Sequence, residues 1–280
     1  MSADLSALSW VRPWIESLGV EVVGAAETVE SLISLVDSIQ ADAVLLDHYD
    51  FPDVLSAISG KGVVLANFED GQFGRRAAHL SIDYTLGAES VNRPDDGSLT
   101  CLRGIRFAPI RAEVRAGRPL PREPLPGRPM VAILLGGTDA HELATRVSAL
   151  VEQVGAHTQV IEGALTFVSQ LRPIDAVVSA AGVSAYELAC LGIPTALLQV
   201  VDNQGANYVA MVGAGAATGL GTAAELHGQP TLVAERLRVW LSDPALLSSI
   251  AKVAQQLVDG QGASRIVAAL DATSESLSRP

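Results

Sequence analysis

Short apolar runs alternate with longer stretches of helical period along most of the chain. In the first half, Val20–Val23 (VEVV), Ala43–Leu46 (AVLL) and Gly62–Ala66 (GVVLA) read as strands, the second of them as a buried parallel-type strand. Val29–Ile39 has apolar residues at helical spacing, and Pro52 is placed to open a short helix. The rhythm restarts at Met130. Strands are predicted over Met130–Leu135, Thr158–Ile161, Asp175–Ser179 and Pro194–Val200, with helices from Gly136-Gly137-Thr138-Asp139 to about Glu152, through Leu191, and after Asp202-Asn203-Gln204. Pro230–Trp240, Pro244–Leu257 and Ser264–Leu270 read as closing helices. Strand–helix alternation of this kind predicts an α/β protein with parallel sheets.

Between the two halves the composition breaks. Arg103–Arg128 holds seven arginines against Glu113 and Glu123, and PLPREPLPGRP is too rich in proline for a regular helix or a central strand. This segment reads as an interdomain linker, either a solvated basic strap or a source of Arg111 for an anionic ligand. The predicted organisation is a first domain over 1–114, a linker over 115–129 and a second domain over 130–280. The first cut by a protease is expected in Arg115–Arg128.

Composition narrows the partners. The chain has 280 residues, is strongly apolar and carries a net charge of −12. It can bury sizeable cores, and long-range repulsion disfavours DNA, RNA and anionic membranes. No apolar stretch has the large side chains of a membrane span, and MSADLSALSWVRPW lacks the regions of a signal peptide, so a cytoplasmic protein is expected. Cys101 and Cys190 read as two buried free thiols, and no Cys/His cluster suggests a metal site.

Ligands of open parallel sheets sit beyond the C-terminal strand ends. Four such places carry candidate chemistry. Gly136-Gly137-Thr138 reads as a backbone cradle for a phosphate or sugar, or as a plain tight turn. In Ser179–Pro194 (SAAGVSAYELACLGIP), Ala181 and Gly182 clear space at a helix start, where a diphosphate would meet unspent amides. Glu187, five residues after Gly182, is either a carboxylate for a ribose diol or a surface helix glutamate. Asn203 and Gln204 suit sugar hydroxyls, with helix capping as the alternative for Asp202 or Asn203. Asp47-His48-Tyr49 places a histidine between two proton partners, a candidate acid/base or a structural histidine.

Six stretches, in order, resemble one family. They are LLDHY (Leu45 to Tyr49), LRGIRFAPIRAEV (Leu102 to Val114), ILLGGTD (Ile133 to Asp139), SAAGVSAYELACLGIPT (Ser179 to Thr195), DNQGAN (Asp202 to Asn207) and DGQGASRIV (Asp259 to Val267). The family is the UDP-sugar hydrolase of pseudaminic acid biosynthesis, which is similar to the glycosyltransferase that adds N-acetylglucosamine in peptidoglycan synthesis. The resemblance implies a GT-B-like fold of two Rossmann-like domains, with a UDP-sugar as ligand and neither cofactor nor metal. It implies hydrolysis to UDP and a free deoxy-amino sugar, with transfer to an acceptor, or binding without turnover, as the alternatives. Residue by residue, it puts Glu187 on the nucleotide ribose, and Gly136, Gly137, Thr138, Ala181, Gly182 and Ser184 on the nucleotide and its diphosphate. Asn203 and Gln204 fall on the sugar, Arg111 at the domain junction, and Asp47, His48 and Tyr49 on the active-site wall. Family members also have a strand, a Gly-His loop and a helix before the region matching Met1, and the histidine of that loop is the proposed base. The resemblance therefore implies an incomplete N-terminal domain. A late gene start, complementation by another chain, and reorganisation into a binding protein are the three explanations.

Overall fold

A computed structural model describes residues 1–3, 11–120, 127–136, 140–161 and 167–277. The chain divides into two compact units. One comprises 1–82, 93–102 and 267–280; the other comprises 83–92 and 103–266.

The first unit begins with α1 (Val11–Ser17), α2 (Val29–Ile39), β1 (Ala43–Leu46), α3 (Leu55–Ser59), β2 (Val64–Phe68), β3 (Leu80–Asp83) and β4 (Thr100–Arg103). Helix α2 falls on its predicted span because both ends are specified. Thr28 and Ser31 form a reciprocal capping box, and Leu32 and Val36 bury one face. Among the described residues the sheet order is β1-β2-β3-β4, with β1, β2 and β3 parallel. Two expectations fail here. Val20–Val23 forms no strand, since Val23 makes only an isolated parallel bridge to Ser2. The apolar run AVLL is not fully buried either: β1 lies at the sheet edge and Leu45 is 53% exposed. An apolar run fixes the strand, not the number of neighbours that cover it. By contrast, Leu65, Ala66, Leu80 and Ile82 are wholly buried.

His79 is buried in this unit. Its Nδ1 accepts from the Leu65 N–H at 2.9 Å, and its Nε2 lies 3.2 Å from Ser59 Oγ, whose own proton goes to Leu55 O. That arrangement needs the neutral ring, and burial lowers the pKa. The unfolded chain, with a histidine pKa of about 6.5, therefore binds the proton more readily. Stability from this group is intact above that pH and declines as pH falls below it. In urea melts the wild type should lose stability relative to His79→Asn between pH 7 and 5. A difference that stays constant over this range would show that His79 does not titrate there.

The second unit continues with α4 (Ala112–Ala116), β5 (Met130–Leu134), α5 (Ala140–Gln153), β6 (His157–Val160), α6 (Phe167–Gln170), β7 (Ala176–Ala180), α7 (Val183–Leu191), β8 (Thr195–Gln199) and α8 (Gly205–Gly213). Strand β9 (Thr218–Thr222), α9 (Ala223–Gly228), α10 (Pro230–Leu241), α11 (Pro244–Leu257) and α12 (Gly262–Leu277) follow, α12 running from this unit into residues assigned to the first. The sheet is parallel in the order β6-β5-β7-β8-β9, with apolar clusters on both faces. Strand β9 was not expected, because TGLGT lacks the β-branched run that marks a strand. Gly219 and Gly221 are there because an added Cβ would strike Tyr208, Glu225 and Arg236.

Residues 103–120 belong to this unit rather than to a free strap. Val114 is completely buried, and Leu120 N–H donates to Leu191 O at 3.1 Å. The basic composition concealed a short helix anchored by one fully buried residue, Val114. Residues 121–126 lie outside the described residues. At the start of α12, Gly262 meets backbone so closely that an added Cβ would lie 2.0 Å from Ala108 O. Cys190 sits in the same core, where burial pushes its thiol up to about 11 against the opposing charge of Arg118. Cys101 is exposed on β4, so the expectation of two buried thiols holds for Cys190 alone. Among the described residues no helix is long and apolar enough to cross a membrane.

Candidate functional site

Helix α7 is the centre of the second unit's polar site. Ala185 to Leu191 are all buried, because α7 is packed against β7, β8, α4 and α11. A helix buried all round needs apolar residues on every face, and AYELACL supplies them except at Glu187. Glu187 is only 5% exposed, which excludes the surface-glutamate alternative. Its carboxylate is held by Arg111: Nε lies 2.6 Å from Oε1 and Nη2 lies 2.8 Å from Oε2. The third guanidinium nitrogen is 3.2 Å from Glu113 Oε1. Burial alone would lower the Arg111 pKa, but the hydrogen bond and charge of Glu187, with Glu113, outweigh it and raise it. Arg111 thus stands beside Glu187, engaged by two carboxylates.

At the start of α7, Gly182 is the N-cap. It makes no side-chain cap, and no acidic residue occupies the first turn. The first amides of the helix form the positive end of its dipole, and the N-cap residue puts no side chain on them. Ala181 is buried and Ser184 half-buried. The Gln204 amide lies over this start, its Nε2 3.7 Å from where a Gly182 Cβ would be, while its Oε1 accepts from Val200 N–H at 2.9 Å. Asn203 is half-buried in the same turn, Asp202–Gln204. Gln204 is the N-cap of α8 and makes no side-chain cap there. Gly136, exposed just after β5 with φ 52°, has no atom of the described residues within 4 Å of where an added Cβ would lie. Gly137 and Thr138 lie outside the described residues.

Asn207 was quoted in DNQGAN but not singled out. It is 5% exposed, its Nδ2 donates to Ala181 O at 2.8 Å, and its Oδ1 is buried with no partner among the described residues. Its signal was the spacing, since three residues after Gln204 puts it on the same side of one helical turn.

In the first unit, Asp47, His48 and Tyr49 follow β1 and all three are exposed. His48 Nδ1 accepts from Asp50 N–H at 3.1 Å, so the neutral ring carries its proton on Nε2. In this arrangement Nε2–H can donate, and proton abstraction requires the Asp50 bond to open. Tyr49 Oη donates to Asp70 Oδ2 at 3.0 Å. Crowding raises the Asp47 pKa although the residue is open to water, and the charge of His48 works against the rise.

The loop rests on a residue that sequence reading missed. Arg76, 8% exposed, sends Nη2 to His48 O at 2.6 Å and Tyr49 O at 3.0 Å, and Nη1 to Asn67 Oδ1 at 2.6 Å. Burial lowers its pKa, partly offset by Asp53, Glu69 and Asp50. Glu69 and Arg93 form a second buried pair at 3.2 Å. Lone charges spread over three loops leave no motif, so nothing in the sequence marked them.

Comparison with known proteins was informative at the level of fold. No family model matches the chain. A spore coat polysaccharide biosynthesis protein of Bacillus subtilis, SpsG, is 29% identical over 168 residues, which is 50% of this chain and 49% of that protein. The chain therefore spans about half the length of the curated relative it matches. MurG of Acinetobacter baumannii superposes with a TM-score of 0.60 at 14% identity, over 93% of this chain and 88% of that one. The glycotransferase of kitacinnamycin gives 0.62 at 12%, over 98% and 90%. The spinosyn rhamnosyltransferase SpnG, solved with thymidine diphosphate, gives 0.56 at 13%, over 87% and 76%. The fold is that of the GT-B glycosyltransferases, built from two Rossmann-like units.

Proposed function

We propose that this protein acts on a UDP-sugar in polysaccharide assembly, binding the nucleotide at the α7 site. The observation that carries the reading is Glu187, a buried and oriented carboxylate five residues beyond Gly182, which leads the helix with no side-chain cap. A ribose diol suits the carboxylate, and a diphosphate suits the amides at Gly182. In the reaction an oxygen nucleophile attacks the anomeric carbon and the bond to the diphosphate breaks. UDP leaves with the electron pair, and the nucleophile's proton passes to a base. Asp47, His48 and Tyr49 are the proton-handling candidates, with Asn203 and Gln204 on the sugar. With water as nucleophile the product is a free deoxy-amino sugar, the activity that the family resemblance favours. With a sugar or lipid hydroxyl it is a glycoside, a reading that the glycosyltransferase neighbours support at least as well.

UDP release from candidate donors decides between them: release without acceptor means hydrolysis, and release only with acceptor means transfer. Binding is tested first. Glu187→Ala should weaken UDP affinity by roughly 1.5–3 kcal/mol, the range for a hydrogen bond to a charged group. Calorimetry on protein shown to be folded measures it, and undetectable UDP binding by the wild type would remove the nucleotide assignment.

A further inference from the structure

We infer that Arg111 is a positioning residue for the nucleotide site: it fixes the plane of Glu187, and so makes the site select ribose over deoxyribose. The inference rests on the proposed UDP reading and goes beyond it, because it assigns to Arg111 a role toward Glu187 and none toward the ligand's phosphates.

The geometry separates those roles. Two nitrogens of Arg111 take one oxygen each of Glu187, at 2.6 and 2.8 Å, and the third takes Glu113. Among the described residues, one cation between two carboxylates leaves a net charge of −1, which does not attract a diphosphate. The two-point contact does restrain the Glu187 carboxylate against rotation, as a lysine's single ammonium does not. Each Glu187 oxygen spends one lone pair on Arg111 and keeps another. Vicinal hydroxyls of a ribose are donors that match this pair of acceptors. Glu187 lies about 7.5 Å along the helix from Gly182, from five residues at 1.5 Å each. That is the scale of the step from a ribose diol to the second phosphate of a nucleoside diphosphate.

The Glu187 side chain is only 6% exposed. The other charged groups on the elements packed against α7 are Glu113 and Arg115 on α4 and Lys252 on α11. Glu113 shares Arg111, and Arg115 faces Ser264 and the Gly260 turn. Among the described residues, Arg111 is the cation in contact with Glu187.

The experiment compares UDP with 2′-deoxyuridine diphosphate by calorimetry on the full chain. The wild type should prefer UDP by about tenfold or more, the worth of one hydrogen bond to a charged acceptor. In Arg111→Met the ratio should fall toward one, and in Arg111→Lys it should fall to an intermediate value. A structural role would weaken both ligands together and leave the ratio alone. Arg111→Lys keeps the cation and decides the matter if Arg111→Met does not fold. An unchanged ratio in these variants, or tighter UDP binding in Arg111→Met, would overturn the positioning role while leaving the nucleotide site standing. Failure of the wild type to bind UDP would overturn both.

Discussion

Replacing Arg76 with methionine should destabilise the first unit by about 3 kcal/mol, since three buried or half-buried acceptors lose their donor at about 1 kcal/mol or more each. Those acceptors are Asn67 Oδ1 and the carbonyls of His48 and Tyr49. Removing a buried cation also relieves its desolvation, which lowers the net loss. The orphaned carbonyls remain, however, and methionine offers them nothing. Arg76→Lys should fall between, because one ammonium cannot reach three divergent acceptors. Urea denaturation gives the stability. Hydrogen exchange gives the local effect: the Asp50 amide, bonded to His48 Nδ1, should lose protection beyond the global change. A melt like that of the wild type would mean that the loop after β1 holds itself.

The second large effect is expected at Gly262. An added Cβ there would stand 2.0 Å from Ala108 O, 2.6 Å from Phe107 C and 2.7 Å from Ala108 C. All three atoms are backbone, so no side chain can swing away. Either α12 retreats or the 107–108 turn does. Overpacking typically costs 1–3 kcal/mol and occasionally more, and Gly262→Ala belongs near the top of that range. The better helix propensity of alanine returns at most about 1 kcal/mol. The midpoint should drop by roughly 4–8 °C, at about 2–4 °C per kcal/mol for chains near this size. Gly213, where an added Cβ meets nothing within 4 Å, is the control: Gly213→Ala should leave the melt nearly unchanged. Equal melts for the two variants would show that the contact at Ala108 relaxes freely.

The second unit was legible almost throughout, and the first only in part. MVAIL, AVVSA and TALLQ became β5, β7 and β8 because a central parallel strand is covered on both faces and reads as an unbroken apolar run. Pro244–Leu257 was placed to the residue, being opened by proline after an Asp243 cap. LSID and TCLR were passed over as β3 and β4, since four mixed residues carry no period that separates strand from loop. VEVV failed for the opposite reason: its pattern is right, but a strand exists only where a neighbour supplies its hydrogen bonds. At the site, the sequence named Glu187 and Arg111 separately, and chemistry alone did not join them. Residues 76 positions apart meet only through the packing of α4 on α7. Arg76 and His79 were missed because burial made them important, and burial of a lone charged or ionisable residue has no signature along the chain.

The two cysteines are chemically unequal, and that gives the molecule a built-in handle. At neutral pH a thiol-directed dye or spin label finds Cys101 on the surface of β4. It finds Cys190 walled in and protonated, with a thiol pushed up to about 11, and the thiolate is the form that reacts. A single reporter can therefore be attached to the natural sequence. The silent thiol on Glu187's own helix stays in reserve, opening to reagent only when the core around α7 comes apart.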